Sequence, residues 1–98
     1  MASSRDRHLI YAVFFDQDEQ ELAAPSGRAK LTAMESRILY LLFMHEGQVV
    51  STEFIVGNIR ADAGVIKTTV RCLREKLGSL TGHPELLRIV PGVGYRLN

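Results

Sequence analysis

The sequence predicts an α+β fold: a short N-terminal antiparallel sheet, three helices and a C-terminal β-hairpin. Three observations carry this reading. The N-terminal third strings β-branched and aromatic runs between turn residues. The middle holds hydroxyl-capped stretches with apolar residues at helical spacing. The end sets a helix with a basic outer face, Val65 to Leu77, before an apolar strand and a glycine-cornered return, Arg88-Ile89-Val90-Pro91-Gly92-Val93-Gly94-Tyr95-Arg96-Leu97.

His8 to Phe15 reads as the first strand, and Asp16 to Glu21 as an acidic turn. Leu22-Ala23-Ala24 is a short second strand. Pro25-Ser26-Gly27 turns the chain, because Pro presets φ and Gly accepts a positive one. Arg28 to Leu31 returns as the third strand. Thr32-Ala33-Met34-Glu35 has the pattern of a capping box, in which Thr32 accepts from a first-turn amide and Glu35 reaches back to the cap's own N–H. The helix that follows is expected to run to about Met44, with Met34, Ile38, Leu41, Leu42 and His45 on its buried stripe and Gly47 ending it. Val49-Val50 is an apolar link. Ser51 caps a second helix, Thr52 to about Ile59, with Phe54, Ile55 and Ile59 turned inward. Arg60 to Gly64 connects, and Asp62 caps the third helix. On that helix Ile66, Val70, Leu73 and Leu77 form the core stripe and Gly78 is the expected stop. Thr81 to Pro84 is a loop, Leu86 to Val90 a strand, and Gly92 and Gly94 allow the bend into Tyr95-Arg96-Leu97. Two helices under a third, closed by a hairpin, describe a winged helix-turn-helix.

The 98 residues, 46% of them hydrophobic, suffice for one domain with a modest core. That domain is expected over residues 8–98, with 1–7 a disordered or added N-terminus. No apolar run is long enough to span a membrane, and Met1 to Arg7 lacks the apolar stretch of a secretory signal. The single cysteine, Cys72, excludes an internal disulfide and points to a reducing compartment, so a cytoplasmic location is expected. The net charge of +1 hides an uneven distribution: residues 1–59 carry five Lys/Arg against eight Asp/Glu, and residues 60–98 carry seven against three. A local field matters more to phosphates than the total.

A positive helix beside a small ribbon fits duplex DNA, with the helix in the major groove and the ribbon on the neighbouring backbone or minor groove. Arg71 and Arg74 are read as DNA contacts, Lys67 as a phosphate contact on the flank of the same face, and Thr68 as a base-edge contact through its methyl and hydroxyl groups. Glu75 and Lys76 are read as solvated charges. Asp16, Asp18, Glu19 and Glu21 lack the spacing of a calcium loop and are read as a solvated turn facing away from DNA. His8, His45 and His83 have no ligand partners at metal spacing, so no metal is expected. No nucleophile elbow, P-loop, zinc-protease motif or dinucleotide glycine pattern is present. No cofactor, enzymatic activity or membrane partner is therefore expected. The alternative function is a winged-helix module that binds protein rather than DNA.

Four motifs carry a resemblance over nearly the whole chain, from about Leu9 to Asn98. They are Leu31-Thr32-x-x-Glu35-x-Arg37-Ile38-Leu39, Gly47-x-Val49-Val50-Ser51-x-Glu53, Leu73-Arg74-x-Lys76-Leu77-Gly78 and Arg88-x-Val90-x-Gly92-Val93-Gly94-Tyr95-Arg96-Leu97. In this order and spacing they resemble the effector domain of OmpR/PhoB-type response regulators. The resemblance implies a bacterial transcription factor domain that binds double-stranded DNA at tandem or inverted half-sites. It makes the third helix the recognition helix, with Lys67, Thr68, Arg71, Cys72 and Arg74 facing the major groove or its flanking phosphates, and makes the hairpin the wing. It also implies RNA polymerase as a candidate partner at the loop between the second and third helices, a homodimer on DNA as a candidate assembly, and a receiver domain upstream in family members. Three departures stand out. Pro91 occupies the position of the usual wing arginine, which leaves Arg88 and Arg96 to supply wing charge. Cys72 replaces a basic residue; it is read as a small neutral side chain rather than a redox switch. The Arg60 to Gly64 loop is short and lacks the family's tryptophan, so any polymerase contact must differ.

Overall fold

The computed structural model describes the backbone of residues 7–10 and all of residues 13–98. Expectations for residues 1–6, and for Tyr11 and Ala12, lie outside the described residues. Among the described residues the elements run β1 (Arg7–Ile10), β2 (Val13–Asp16), β3 (Glu21–Ala24), β4 (Gly27–Lys30), α1 (Ala33–Met44), β5 (Val49–Ser51), α2 (Thr52–Ile59), α3 (Ala63–Thr81), a 3-10 turn (Pro84–Leu86), β6 (Leu87–Val90) and β7 (Gly94–Leu97). They form two antiparallel sheets, a four-stranded one in the order β1-β2-β3-β4 and a three-stranded one in the order β5-β7-β6. The expected α+β winged-helix architecture is present.

The first expected strand is in fact two. Leu9 pairs with Phe14 and Ile10 with Val13, so a run that reads as continuous β on composition is folded on itself. Phe15 and Leu22 are buried partners across β2 and β3, whereas Phe14 faces outward. That is the two-sided alternation of a half-buried sheet. The acidic stretch makes the turn, with Asp16 Oδ1 accepting from the Glu19 N–H at 3.1 Å.

The capping box of α1 forms as read: Thr32 Oγ1 accepts from the Glu35 N–H at 3.0 Å, and Glu35 Oε1 accepts from the Thr32 N–H at 2.8 Å. Ile38, Leu39 and Leu42 are fully buried, while Met34 and Leu41 pack only partly against the core. Leu39 joins the stripe because α1 is covered on two sides, by α3 and by β7. The Val49-Val50 link is a strand. Val50 pairs with Tyr95, 45 positions later, a partner that local composition cannot announce. Ser51 caps α2 through the Phe54 N–H at 3.1 Å. Phe54 itself is not inward but 43% exposed, because Ile55 and Ile59, one turn apart, take the core-facing side of this two-turn helix. Its ring meets His45 edge-on at 5.4 Å.

Gly78 does not end α3. The helix continues to Thr81 and stops at Gly82, whose left-handed φ of 79° lets its N–H donate to the Gly78 carbonyl at 2.7 Å. Gly78 makes room instead: a Cβ there would come 3.2 Å from the Pro84 Cβ. Gly94 is likewise a matter of space rather than of bending, since a Cβ on it would lie 1.9 Å from the Val50 carbonyl oxygen. The turn's left-handed residue is Gly92, at φ 75°. Ile66, Val70, Leu73 and Leu77 are all fully buried, and they lock one face of α3 into the core formed with α1, α2 and strands of both sheets.

Candidate nucleic-acid interface

Burying that stripe decides what α3 can present. At about 100° per residue, Lys67, Thr68 and Arg71 fall on the outward side of the helix, and all three are exposed. Asp62 starts the helix by accepting from the Val65 N–H at 2.9 Å, which orients this face from its first turn. Cys72 lies beside Arg71 and is half-buried, as a free thiol. Lys67 also lines a groove of about 470 Å³ between the first turn of α2 and the wing, shared with Glu53, Pro91 and Val93. The wing tip therefore stands next to the N-terminal half of α3.

The two expected wing arginines are brought together elsewhere. Arg88 and Arg96 are directly opposite across β6 and β7, on the sheet face away from the buried Leu87, Tyr95 and Leu97. Like charges so placed repel. Arg88 is exposed, and the Nε of the half-buried Arg96 has no hydrogen-bond acceptor.

Arg74 stands apart from both groups. It is half-buried, and its Nε donates to the Leu87 carbonyl at 2.8 Å. Lys76, read as a solvated charge, is not free either. Its Nζ donates to Glu35 Oε1 at 2.6 Å and to the Lys30 carbonyl at 2.7 Å. A lysine i+3 from a buried leucine can reach across to a neighbouring capping box, but nothing local in sequence names that box as its partner.

Sequence reasoning passed over the apolar members of this surface. Val65 on the first turn of α3 is 43% exposed, Ile89 on β6 46% and Val93 at the wing tip 50%. The signal for Val65 lies in the helical period: it falls about 100° off the 66-70-73-77 stripe, towards the side of Thr68. Among the described residues, no helix is long and apolar enough to cross a membrane.

With the geometry in hand, the comparisons agree on one class. A family model described as the C-terminal domain of transcriptional regulatory proteins matches residues 26–97. The chain belongs to this family, the effector domains of OmpR/PhoB-type response regulators. The transcriptional regulatory protein CutR of Streptomyces coelicolor is 32% identical over 87 residues, which cover 84% of this chain and 38% of CutR. The regulatory protein VanR of Enterococcus faecium is 34% identical over 73 residues, 68% of this chain and 32% of VanR. The chain thus spans well under half the length of the curated relatives it matches. Among solved structures, the DNA-binding domain of CpxR from E. coli is 30% identical with a TM-score of 0.74, covering 93% of this chain and 94% of that one. The DNA-binding domain of the response regulator AdeR, solved in complex with an intercistronic region, is 26% identical with a TM-score of 0.77, over 92% of this chain and 96% of that one.

Proposed function

We propose that this chain is the DNA-reading part of a bacterial transcriptional regulator, binding duplex DNA sequence-specifically with α3 in the major groove and the β6–β7 wing on the adjacent backbone or minor groove. The observation that carries this is the exposed ridge Lys67-Thr68-Arg71 on a helix whose opposite face is locked into the core. Family membership supports it, as does the AdeR domain's complex with DNA.

Lys67 then meets phosphate, Thr68 and Arg71 meet base edges or flanking phosphates, and Cys72 borders that contact as a small neutral side chain. Val65 offers a methyl surface to thymine. Arg88 and Arg96, close enough to repel each other, gain most from an anion between them, and a DNA phosphate supplies one. Pro91 and Val93 give the wing an apolar tip where an arginine would otherwise project. In this reading each domain covers one half-site of a tandem or inverted pair. Homodimerisation on DNA, contact with RNA polymerase and a cytoplasmic location follow from the same proposal.

Selection from a library of random duplexes tests it. The expected result is enrichment of a short motif by the wild-type chain. Arg71→Ala should weaken binding to the enriched duplex by about 1–3 kcal/mol and relax selection at one or two positions. A library that emerges without any enriched motif would remove the proposal.

A further inference from the structure

The sequence groups Arg74 with the basic face of α3, but the structure gives it another task. Three residues on from Arg71, its side chain leaves the helix ~60° further round, towards the wing. There its Nε donates to the Leu87 carbonyl at 2.8 Å. Leu87 belongs to β6, an edge strand of its sheet. The Asn98 N–H bonds the Leu86 carbonyl at 2.9 Å, so in the antiparallel ladder the backbone groups of Leu87 alternate to the open side of the strand. Arg74 caps that open edge. Its charge also acts on the 3-10 turn before β6. Backbone hydrogen bonding at Glu85 and the bond with His83 hold the Glu85 carboxyl below its ordinary range, and the charges of His83 and then Arg74 add to this. On the other flank of α3, Lys76 does the equivalent for the first sheet, donating to the Lys30 carbonyl of the edge strand β4 at 2.7 Å.

We propose that Arg74 is a positioning residue of the DNA interface: through the Leu87 carbonyl it fixes the wing at a set angle to α3, and it makes no contact with DNA itself. The proposal rests on the DNA-binding reading above. It separates Arg74 from Arg71 although the two sit three residues apart on one helix. An arginine that touches phosphate contributes charge. An arginine that anchors the wing contributes a hydrogen bond from Nε, and that bond survives removal of the charge.

Citrulline makes the distinction, because it keeps the Nε–H donor on a neutral urea. Cys72 lies two residues before Arg74, so a thioester of residues 1–71 can be joined natively to a synthetic segment of residues 72–98 carrying Arg74→citrulline. Wild-type, citrulline and Arg74→Ala chains are titrated with the selected duplex over a range of salt, footprinted, and followed by amide exchange. Arg74→Ala is expected to weaken binding about tenfold, to lose protection on the wing side of the footprint and to speed exchange at the Arg88 and Val90 amides. Citrulline is expected to weaken binding no more than about threefold, with the salt slope and the footprint of the wild type.

The proposal is overturned if citrulline binds as weakly as alanine with a slope smaller by about one, the mark of a lost phosphate contact. It is also overturned if Arg74→Ala leaves affinity and footprint intact. Should Arg74→Ala not fold, the citrulline chain decides alone. A wild-type chain that selects no duplex would instead remove the DNA reading, while amide exchange in β6 would still report whether Arg74 holds the wing.

Discussion

Gly94 and Glu35 show how single residues set the geometry on which the proposed interface stands. A Cβ at Gly94 would sit 1.9 Å from the Val50 carbonyl oxygen, closer than any side-chain adjustment relieves, because the obstacle is backbone. Gly94→Ala is expected to cost about 2–4 kcal/mol in unfolding free energy, measured by urea denaturation, by prising β7 from β5. Glu35 is buried and receives both the Thr32 N–H and the Lys76 ammonium. Glu35→Ala is expected to cost about 2 kcal/mol, less than a fully buried pair would, because Lys76 keeps 31% of its side-chain surface in water. Tyr95 adds a pH dependence. Burial raises its phenol above the ordinary 10.0, so above about pH 10 the folded chain holds a proton that the unfolded chain has released. Its share of stability is therefore full below pH 10 and lost as pH rises through the higher folded value. Tyr95→Phe should flatten stability over that alkaline range, and a loss as steep as the wild type's would count against burial as the cause. At this scale the sequence was legible where function follows from local spacing, as in the Thr32–Glu35 box and the Asp62 cap. It was illegible where the partner is distant, as for Lys76 with Glu35 or Gly94 with Val50.

Among the elements, α3 does most to define the surface, and its periodicity was the clearest signal in the chain. Four residues at 66, 70, 73 and 77 are fully buried, which fixes the outward positions without further information. Its length exceeds the expected one because Gly78 lies within the helix rather than ending it. A helix interior tolerates glycine at about 1 kcal/mol, and Gly78 is kept for the close approach of Pro84. The β5 strand was missed because three residues carry no periodicity of their own, and Ile55 with Ile59, not Phe54, took the inner side of α2. The junction from α2 to α3 carries a testable strain. Arg60 adopts φ 63° at the end of α2, a conformation that costs a residue with a Cβ roughly 1–2 kcal/mol. Arg60→Gly is expected to raise the denaturation midpoint, corresponding to a gain of about 0.5–1 kcal/mol in unfolding free energy after the entropy of the freer glycine is counted. A lowered midpoint would mean that the Arg60 side chain stabilises the junction more than its backbone strains it.

At the scale of the molecule, α3 lies between two small sheets and grips an edge carbonyl of each, Leu87 on one side and Lys30 on the other. This makes one rigid frame out of elements too short to be stable separately. It also divides the basic residues by task. Arg74 and Lys76 are engaged inside the chain, which leaves Lys67, Arg71, Arg88 and Arg96 as the remaining cations of α3 and the wing. The uneven charge along the sequence marks residues 60–98, which hold α3 and the wing, as the basic part. It could not tell a cation that faces solvent from one that caps a strand edge, because both read as basic residues off the apolar stripe.

That division yields a number. With up to four phosphate contacts, the logarithm of the affinity for a selected duplex should fall against the logarithm of salt with a slope of about −3 to −4, roughly a 100-fold loss between 50 and 200 mM. An equilibrium titration of the wild-type chain across that range measures it directly. A steep negative slope is the predicted result, and an affinity indifferent to salt, as at a largely apolar protein interface, would contradict it.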